Sequence, residues 1–409
     1  MNTQQLNLKE EIVPLFDDKQ NYNVTPFIQN FILNKCSLEE LEIRQSIFRC
    51  LFSNEKVAFN YKYNKLYFED ALRVTREIKT DQFVEATSYV FFTKSRIKIS
   101  KIPRLTASLI FFSELKVLIQ EVLTIADVPY FNQLLLYLSE DLELLPDYSD
   151  FKSHQKELLA YLNILHQIDF DVFWKRLFEL ECYLSLTKCS IKRGFNLPLI
   201  DNEKFEFEKA YFPLINEPVK YDITFDCSLN ILNGPNMGGK STFLKTISLC
   251  SYLGNIGFPI PASKATIPFF DTFNINFNTK DNYRNGTSHF MNEILSVKEL
   301  IVSNQKSEVV YGVFDELFNT TNPEEATRLI EYLFHHLKLK TPSFFIISTH
   351  LEIAHLMGNE KIGFFHPSTQ LEGDHIQFDY HIVKGISKLK LGEKLFQKSG
   401  ILELLEEHV

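Results

Sequence analysis

The segment Ile231-Leu-Asn-Gly-Pro-Asn-Met-Gly-Gly-Lys-Ser-Thr-Phe-Leu-Lys-Thr-Ile247 constrains the fold of this chain more than any other. From Gly234 to Ser241 it runs glycine, four residues, then Gly-Lys-Ser, which is the spacing of a phosphate-binding loop. Gly238 and Gly239 let the backbone curl so that several N–H groups point into one concavity. Lys240 sets a cation on the outer phosphates, and the Ser241 hydroxyl is placed to ligate Mg²⁺. Such a loop needs a buried strand before it and a helix after it, whose N-terminus adds a positive pole. The flanks agree: an apolar β-type run, Ile223 to Leu232, precedes the loop, and a helical pattern of Phe243, Leu244, Ile247 and Leu249 follows.

From Gly194 onward strands and helices alternate. Strand patterns cover Phe205–Leu214, Ile223–Leu232, Thr266–Phe277, Val309–Phe314 and Phe344–Ser348. Helical patterns start at Lys240 and cover 289–303 and 323–338. This alternation predicts an α/β nucleotide-binding domain with a mainly parallel sheet over 196–409; the wording of the loop implies, by resemblance, a P-loop ATPase fold of ATP-binding-cassette-like type. Residues 1–195 differ. Helical spacing dominates, as in Leu41-Ile43-Ile47-Phe48-Leu51 and Leu105-Leu109-Phe112-Leu115-Ile119, and no glycine occurs before Gly194. The expectation is an all-helical domain. Ser37-Leu-Glu-Glu40 is a capping box that starts one of its helices.

Two further elements complete an ATPase set. Val309-Val-Tyr-Gly-Val-Phe-Asp315-Glu316 is an apolar strand ending in two carboxylates. Asp315 suits Mg²⁺, held through its water shell, and Glu316 suits a general base that orients and deprotonates water. Phe344-Phe-Ile-Ile-Ser-Thr-His350 is a second buried strand, ending in a histidine that by itself reads as a helix cap or a satisfied surface imidazole.

Composition excludes several classes. The chain has 409 residues, 45% apolar and 23% charged, as in ordinary globular domains. No apolar run approaches a membrane span of about 20 residues, and the N-terminus has no signal-peptide core. The six cysteines form no Cys-x-x-Cys pair, so reduced, packed thiols and a cytoplasmic setting are expected. A net charge of −9 argues against a protein coated in positive charge for indiscriminate DNA binding. A local basic strip remains: Lys94, Arg96, Lys98, Lys101 and Arg104 lie in a stretch without acids, which is either a solvated face or a nucleic-acid contact.

The loop wording Gly234-Pro235-Asn236-Met237-Gly238-Gly239-Lys240-Ser241-Thr242 resembles the nucleotide loop of MutS-type DNA mismatch repair ATPases. Asp281-Asn-Tyr-Arg-Asn-Gly-Thr-Ser-His-Phe-Met-Asn-Glu293 strengthens the resemblance, because Gly286, Ser288, Phe290 and Glu293 reproduce the family's Gly-x-Ser-x-Phe-x-x-Glu signature. The resemblance implies that Ser288 reaches the γ-phosphate bound by the opposite subunit. As a helix cap it would do so without conflict. His350 matches the family's γ-phosphate-sensing histidine. Leu317-Phe-Asn-Thr-Thr-Asn-Pro resembles the loop that crosses the subunit interface, with Asn319-Thr320 where the family usually has Gly-Thr. Leu41–Leu51 is similar to the helical core of MutS proteins.

The family pattern also implies differences. Residues 1–195 leave no room for the mismatch-reading domain with its Phe-x-Glu wedge; Phe112-Ser-Glu114 has the letters but lies inside a helical run. A connector domain is not expected, and the DNA-gripping clamp is expected to be missing or much reduced. Family members stack an aromatic on adenine just before the loop, whereas the similar Asn216-Glu-Pro-Val-Lys-Tyr segment offers Val219, with Tyr221 nearby, so the adenine contact stays open. Gly385 to Val409 has room for a short helical pair. The resemblance implies a homodimer, or a heterodimer with a related subunit, that binds ATP and Mg²⁺ at a composite interface and couples hydrolysis to DNA. Action on RNA or ribosomes, or use of ATP only to gate dimerisation, are the alternatives.

Overall fold

The computed structural model describes residues 4–17, 21–80, 83–89, 92–150, 155–235, 238–277, 289–351, 353, 356, 359–372 and 375–386. Two compact units emerge: Val13–Arg193, and Met1–Ile12 together with Gly194–Val409.

The first unit holds α1 (Thr25–Leu33), α2 (Leu38–Ser53), α3 (Glu55–Asn60), α4 (Lys65–Glu77), strands β1 (Val84–Tyr89) and β2 (Phe92–Ile97), then α5 (Ile102–Leu123), α6 (Pro129–Glu143), α7 (Gln155–Leu165) and α8 (Phe170–Arg193). The capping box forms at α2: Ser37 Oγ accepts the Glu40 N–H, and the Glu40 carboxylate accepts the Ser37 N–H. Helix α8 is the core. Leu180 to Ser190 are buried without a break, and α1, α2, α3 and α6 pack on it. Phe112 belongs to an aromatic cluster with Phe170, Phe173 and Trp174, so its place in a Phe-x-Glu triplet is a packing matter.

Buried polar groups cross this core. Glu181 of α8 accepts hydrogen bonds from Asn21 Nδ2 (2.8 Å) and the Tyr61 hydroxyl (3.3 Å), and Lys188 Nζ donates to the Tyr61 carbonyl. A cavity of about 30 Å³, the space of one water, adjoins them.

The expectation of an all-helical domain needs correction. The β1–β2 pair is an antiparallel hairpin, with Val84 opposite Ile97 and Tyr89 opposite Phe92. Its residues are rich in β-branched and aromatic types, which favour a pleated ribbon over a helix.

In the second unit β3 (Leu199–Ile200), β4 (Glu206–Ala210), β5 (Tyr221–Thr224) and β7 (Lys264–Ile267) form a mixed four-stranded sheet in the order β3-β7-β4-β5. The larger sheet has the order β12-β11-β6-β10-β9-β8. It is built from β6 (Leu229–Asn233), β8 (Thr272–Asn276), β9 (Val310–Phe314), β10 (Phe344–Thr349), β11 (Ile362–Glu372) and β12 (His375–Lys384). All neighbours are parallel except β11 and β12. Helices α9 (Lys240–Asn255), α10 (His289–Gln305) and α11 (Pro323–His336) complete it, with α10 and α11 contributing to one apolar core with β6, β9 and β10.

Two expected strands divide. The run 223–232 becomes β5, with alternating exposure, and β6, buried throughout, and the two lie in different sheets. Asp226-Cys-Ser228 supplies the break. The run 266–277 splits likewise into β7 and β8, with Pro268 unable to donate to a ladder. The antiparallel β11–β12 pair was not foreseen, and 387–409 lies outside the described residues. Near the N-terminus, Gln5 donates to the Asn276 side chain and accepts the Phe277 N–H, which ties the first turn to the end of β8.

Candidate functional site

Strand β6 is central and wholly buried, and it delivers the glycine-rich loop to the carboxyl edge of the sheet. Gly239 ends the loop at φ +84, the left-handed region that favours glycine, and α9 starts at Lys240. A Cβ on Gly239 would lie 3.2 Å from the Tyr380 ring, and one on Gly238 would lie 2.8 Å from Pro367. Both glycines therefore sit where the backbone passes close to the β11–β12 hairpin.

Lys240 is buried, and its ammonium donates to the carbonyls of Gly234 (2.7 Å) and Pro235 (2.9 Å). Burial pulls it below the ordinary lysine range, while Glu316 and Asp315 push the other way.

Strand β9 lies two places from β6 and ends in Asp315 and Glu316. Asp315 is buried, and its N–H bonds the Asn276 carbonyl of β8. Ser348, at the end of β10, sits between the two acids. Its hydroxyl donates to Asp315 Oδ1 at 2.5 Å and accepts the Glu316 N–H at 2.7 Å. Glu316 and Phe318 both have left-handed backbones, φ +56 and +63. The Phe318 N–H bonds Glu293 Oε2 of α10 at 3.2 Å, and Asn319 Nδ2 donates to Glu316 Oε2 at 2.9 Å. Burial pushes the Glu293 carboxyl up to about 7, against the downward pull of the Phe318 N–H.

A pocket of about 580 Å³ joins these parts, within the range of about 300–1,000 Å³ usual for small-molecule sites. Its floor is Gly239, Lys240, Ser241 and Thr242, the first turn of α9, and Glu316 lines it too. Phe212, Ile215, Val219 and Tyr221 form an apolar wall, and Tyr380 also lines the pocket. A helix N-terminus, a lysine and a serine on the floor suit a polyphosphate. The apolar and aromatic groups suit a flat base. Ser241 and Asp315 are the hard oxygen donors that Mg²⁺ takes.

Not every expected residue meets in that pocket. Gly234 and Pro235 face the Lys240 ammonium instead of lining it. Asp315 reaches the site through Ser348 and its charge. His350 follows β10 directly and is exposed. Asn236, Met237 and Ser288 lie outside the described residues.

Phe212, Ile215, Tyr380 and Ser348 escaped the reading of the sequence as site residues. Tyr380 lies beyond the last expected strand; its signal was the alternation on either side of Glu372-Gly-Asp-His375, a hairpin pattern. Ser348 was simply one residue of an apolar run.

The basic strip in the helical unit shrinks. Lys101 pairs with Glu77 at 2.6 Å, and Arg104 lies 3.4 Å from Glu77 and 3.8 Å from Asp70. Their charge is locally balanced, so two of the five strip residues already have acidic partners.

A buried parallel strand, a glycine-rich segment and a helix start, with two acids ending a strand two places over, define an α/β domain with its candidate site at the carboxyl edge of the sheet. The family model described as MutS domain V matches residues 230–405. The DNA mismatch repair protein MSH3 of Scheffersomyces stipitis is 28% identical over 282 residues, covering 61% of this chain and 27% of that protein. The DNA mismatch repair protein MutS of Shouchella clausii is 25% identical over 270 residues (62% and 30%), and that of Bacillus subtilis 27% over 216 residues (50% and 24%). Residues 230–405 thus match MutS domain V, and the chain is similar to MutS-family proteins over 50–62% of its length. It matches under a third of the length of these relatives.

Proposed function

We propose that this chain is a MutS-like ATPase that binds ATP with Mg²⁺ and hydrolyses it at a composite dimer interface, coupling the reaction to DNA. The observation that carries the reading is the convergence of Lys240, Ser241 and Glu316 on one pocket at the carboxyl edge of the parallel sheet. The loop, residues 234–242, would wrap the phosphates, with Lys240 turning from its carbonyl partners to the outer ones. Ser241 and Asp315 would hold Mg²⁺, which when bound neutralises charge building on the transferred phosphoryl group. Glu316 takes a proton from water as the water attacks the γ-phosphorus and the bond to the β–γ bridging oxygen breaks. The base would lie against Phe212, Ile215 and Val219, with Tyr380 as the stacking ring. Tyr221 is buried, edge-on to Phe243, and serves as the floor of that wall.

The homodimer, or heterodimer with a related subunit, would place Ser288 and His350 near γ-phosphates. The basic hairpin residues of the helical unit would meet DNA. The names of the relatives favour DNA over RNA as the ligand. Among the described residues no helix is long and apolar enough to cross a membrane.

The direct test is nucleotide binding, read by the anisotropy of a fluorescent ATP analogue. The parent is expected to bind and Lys240→Ala to lose tight binding. A Lys240→Ala protein that binds as the parent does would remove this pocket from consideration. Turnover stimulated by ribosomes and not by DNA would transfer the reading to RNA.

A further inference from the structure

The backbone around the proposed general base is unusual, and its support comes from elsewhere in the fold. Glu316 and Phe318 both adopt left-handed conformations, which side chains with a Cβ rarely take. Such a conformation persists only where the surroundings hold it. Here each strained residue has its N–H held by a side chain from a different element: Glu316 by Ser348 of β10, Phe318 by Glu293 of α10. The carboxylate of Glu316 is held separately, by Asn319 Nδ2. Ser348 does two jobs with one hydroxyl. Accepting the Glu316 N–H leaves its proton for Asp315 Oδ1, so one hydroxyl ties the backbone of Glu316 to the side chain of Asp315.

We propose that Ser348, Asn319 and Glu293 are positioning residues that clamp the Glu316–Asn319 segment, fixing the direction of the Glu316 carboxylate and the rotamer of Asp315. The consequence for hydrolysis rests on the ATPase reading above; the clamp itself does not. A base acts only when aimed at the water it deprotonates, and small displacements are costly in rate. Ser348 and Glu293 are nearly inaccessible, at 0% and 3% exposure, so water does not readily replace either partner. Asn319 is half-buried at the edge of the segment, where its loss leaves the core intact.

The test uses the full chain carrying Ser348→Ala, Ser348→Thr, Asn319→Ala or Glu293→Ala, each checked for folding by thermal melt. In the first arm, without nucleotide, amide hydrogen exchange is measured on peptides spanning 315–321. Ser348→Ala and Glu293→Ala should each raise exchange there at least tenfold, with strand β6 unchanged. In the second arm, Ser348→Ala and Asn319→Ala should lower kcat for ATP at least tenfold with KM within about twofold. Ser348→Ala should also need more Mg²⁺, and Ser348→Thr should recover much of the rate. Unchanged exchange across 315–321 overturns the clamp, as do losses of kcat and KM in proportion. If Ser348→Ala or Glu293→Ala does not fold, Asn319→Ala decides, and parental kcat in that variant overturns the proposal. A parent that turns over no ATP rejects the hydrolytic reading alone, and the exchange arm still decides the clamp.

Discussion

Glu181→Gln should flatten a pH dependence of stability that the helical unit now carries. The Glu181 carboxyl is almost inaccessible, and burial pushes it up to about 7 from an ordinary 4.5, against the pull of its hydrogen bonds from Asn21, Tyr63 and Tyr61 and the charge of Lys188. Between pH 4.5 and 7 the folded chain therefore keeps a proton that the unfolded chain releases. The stability this group contributes is fully present below about 4.5 and declines as pH rises through 7. The interval from 4.5 to about 7, at 1.36 kcal/mol for each tenfold change in proton concentration, makes the loss about 3 kcal/mol. Glutamine does not titrate, so the variant has a constant offset in place of the slope. The assay is urea unfolding at pH 5 and 7.5, followed through Trp174. That residue is the single tryptophan; it lies on the same helix, stacked on Phe178, and so reports on this unit. The parent should lose about 2–3 kcal/mol more than Glu181→Gln between the two pH values. Parallel slopes, or a parent that gains stability over this range relative to the variant, would refute the argument that burial dominates at Glu181.

Three further outcomes are expected. Glu316→Ala should retain nucleotide but hydrolyse it about a hundredfold more slowly, the usual scale for a lost general base, and equal turnover in steady-state assays would end that assignment. Mixing a Ser288→Ala chain with a Lys240→Ala chain should restore one working site per dimer and partial ATPase activity. No recovery in a mixture shown to exchange subunits would count against a site shared between subunits. Replacing Lys94, Arg96 and Lys98 with Ala should weaken binding to all duplexes about equally and flatten its salt dependence, and single mismatches should bind little better than matched DNA. A variant with an unchanged salt slope would clear this hairpin of a DNA role.

Legibility in the sequence followed the number of constraints acting on each segment. Residues 231–247 were legible because a strand, a glycine turn, a lysine and a helix start are all demanded within a few positions, and α9 does begin at Lys240. The capping box at Ser37 was legible for the same reason. The runs 223–232 and 266–277 were apolar throughout, and apolarity alone does not say which of two sheets a residue joins; the breaks at Asp226-Cys-Ser228 and Pro268 carried that information. The β1–β2 hairpin was obscured by helical patterns on both sides of it, although its own residues favour strand. Ser348 could not have been assigned from spacing, because its role depends on β9 and β10 being neighbours. Tyr380 contributes through a hairpin that folds back over a loop more than a hundred residues earlier in the chain. No local pattern encodes that approach.

Gly312, in the middle of β9, gives the site an unexpected gauge. A Cβ there would run into Leu300 of α10 and come within 3.0 Å of Phe345, both buried. The missing methyl therefore sets how low α10 rides on the sheet. Glu293 lies two helical turns before Leu300, about 10 Å along the same rod. Any thickening at the 312–300 contact would tilt that rod and shift the carboxylate at its far end. Volume at two apolar positions is thus traded against alignment at a polar one, and a larger residue at 312 is tolerable only beside a smaller one at 300. Variation in the rate of this site can accordingly arise in the greasy interior, at positions that touch neither nucleotide nor water.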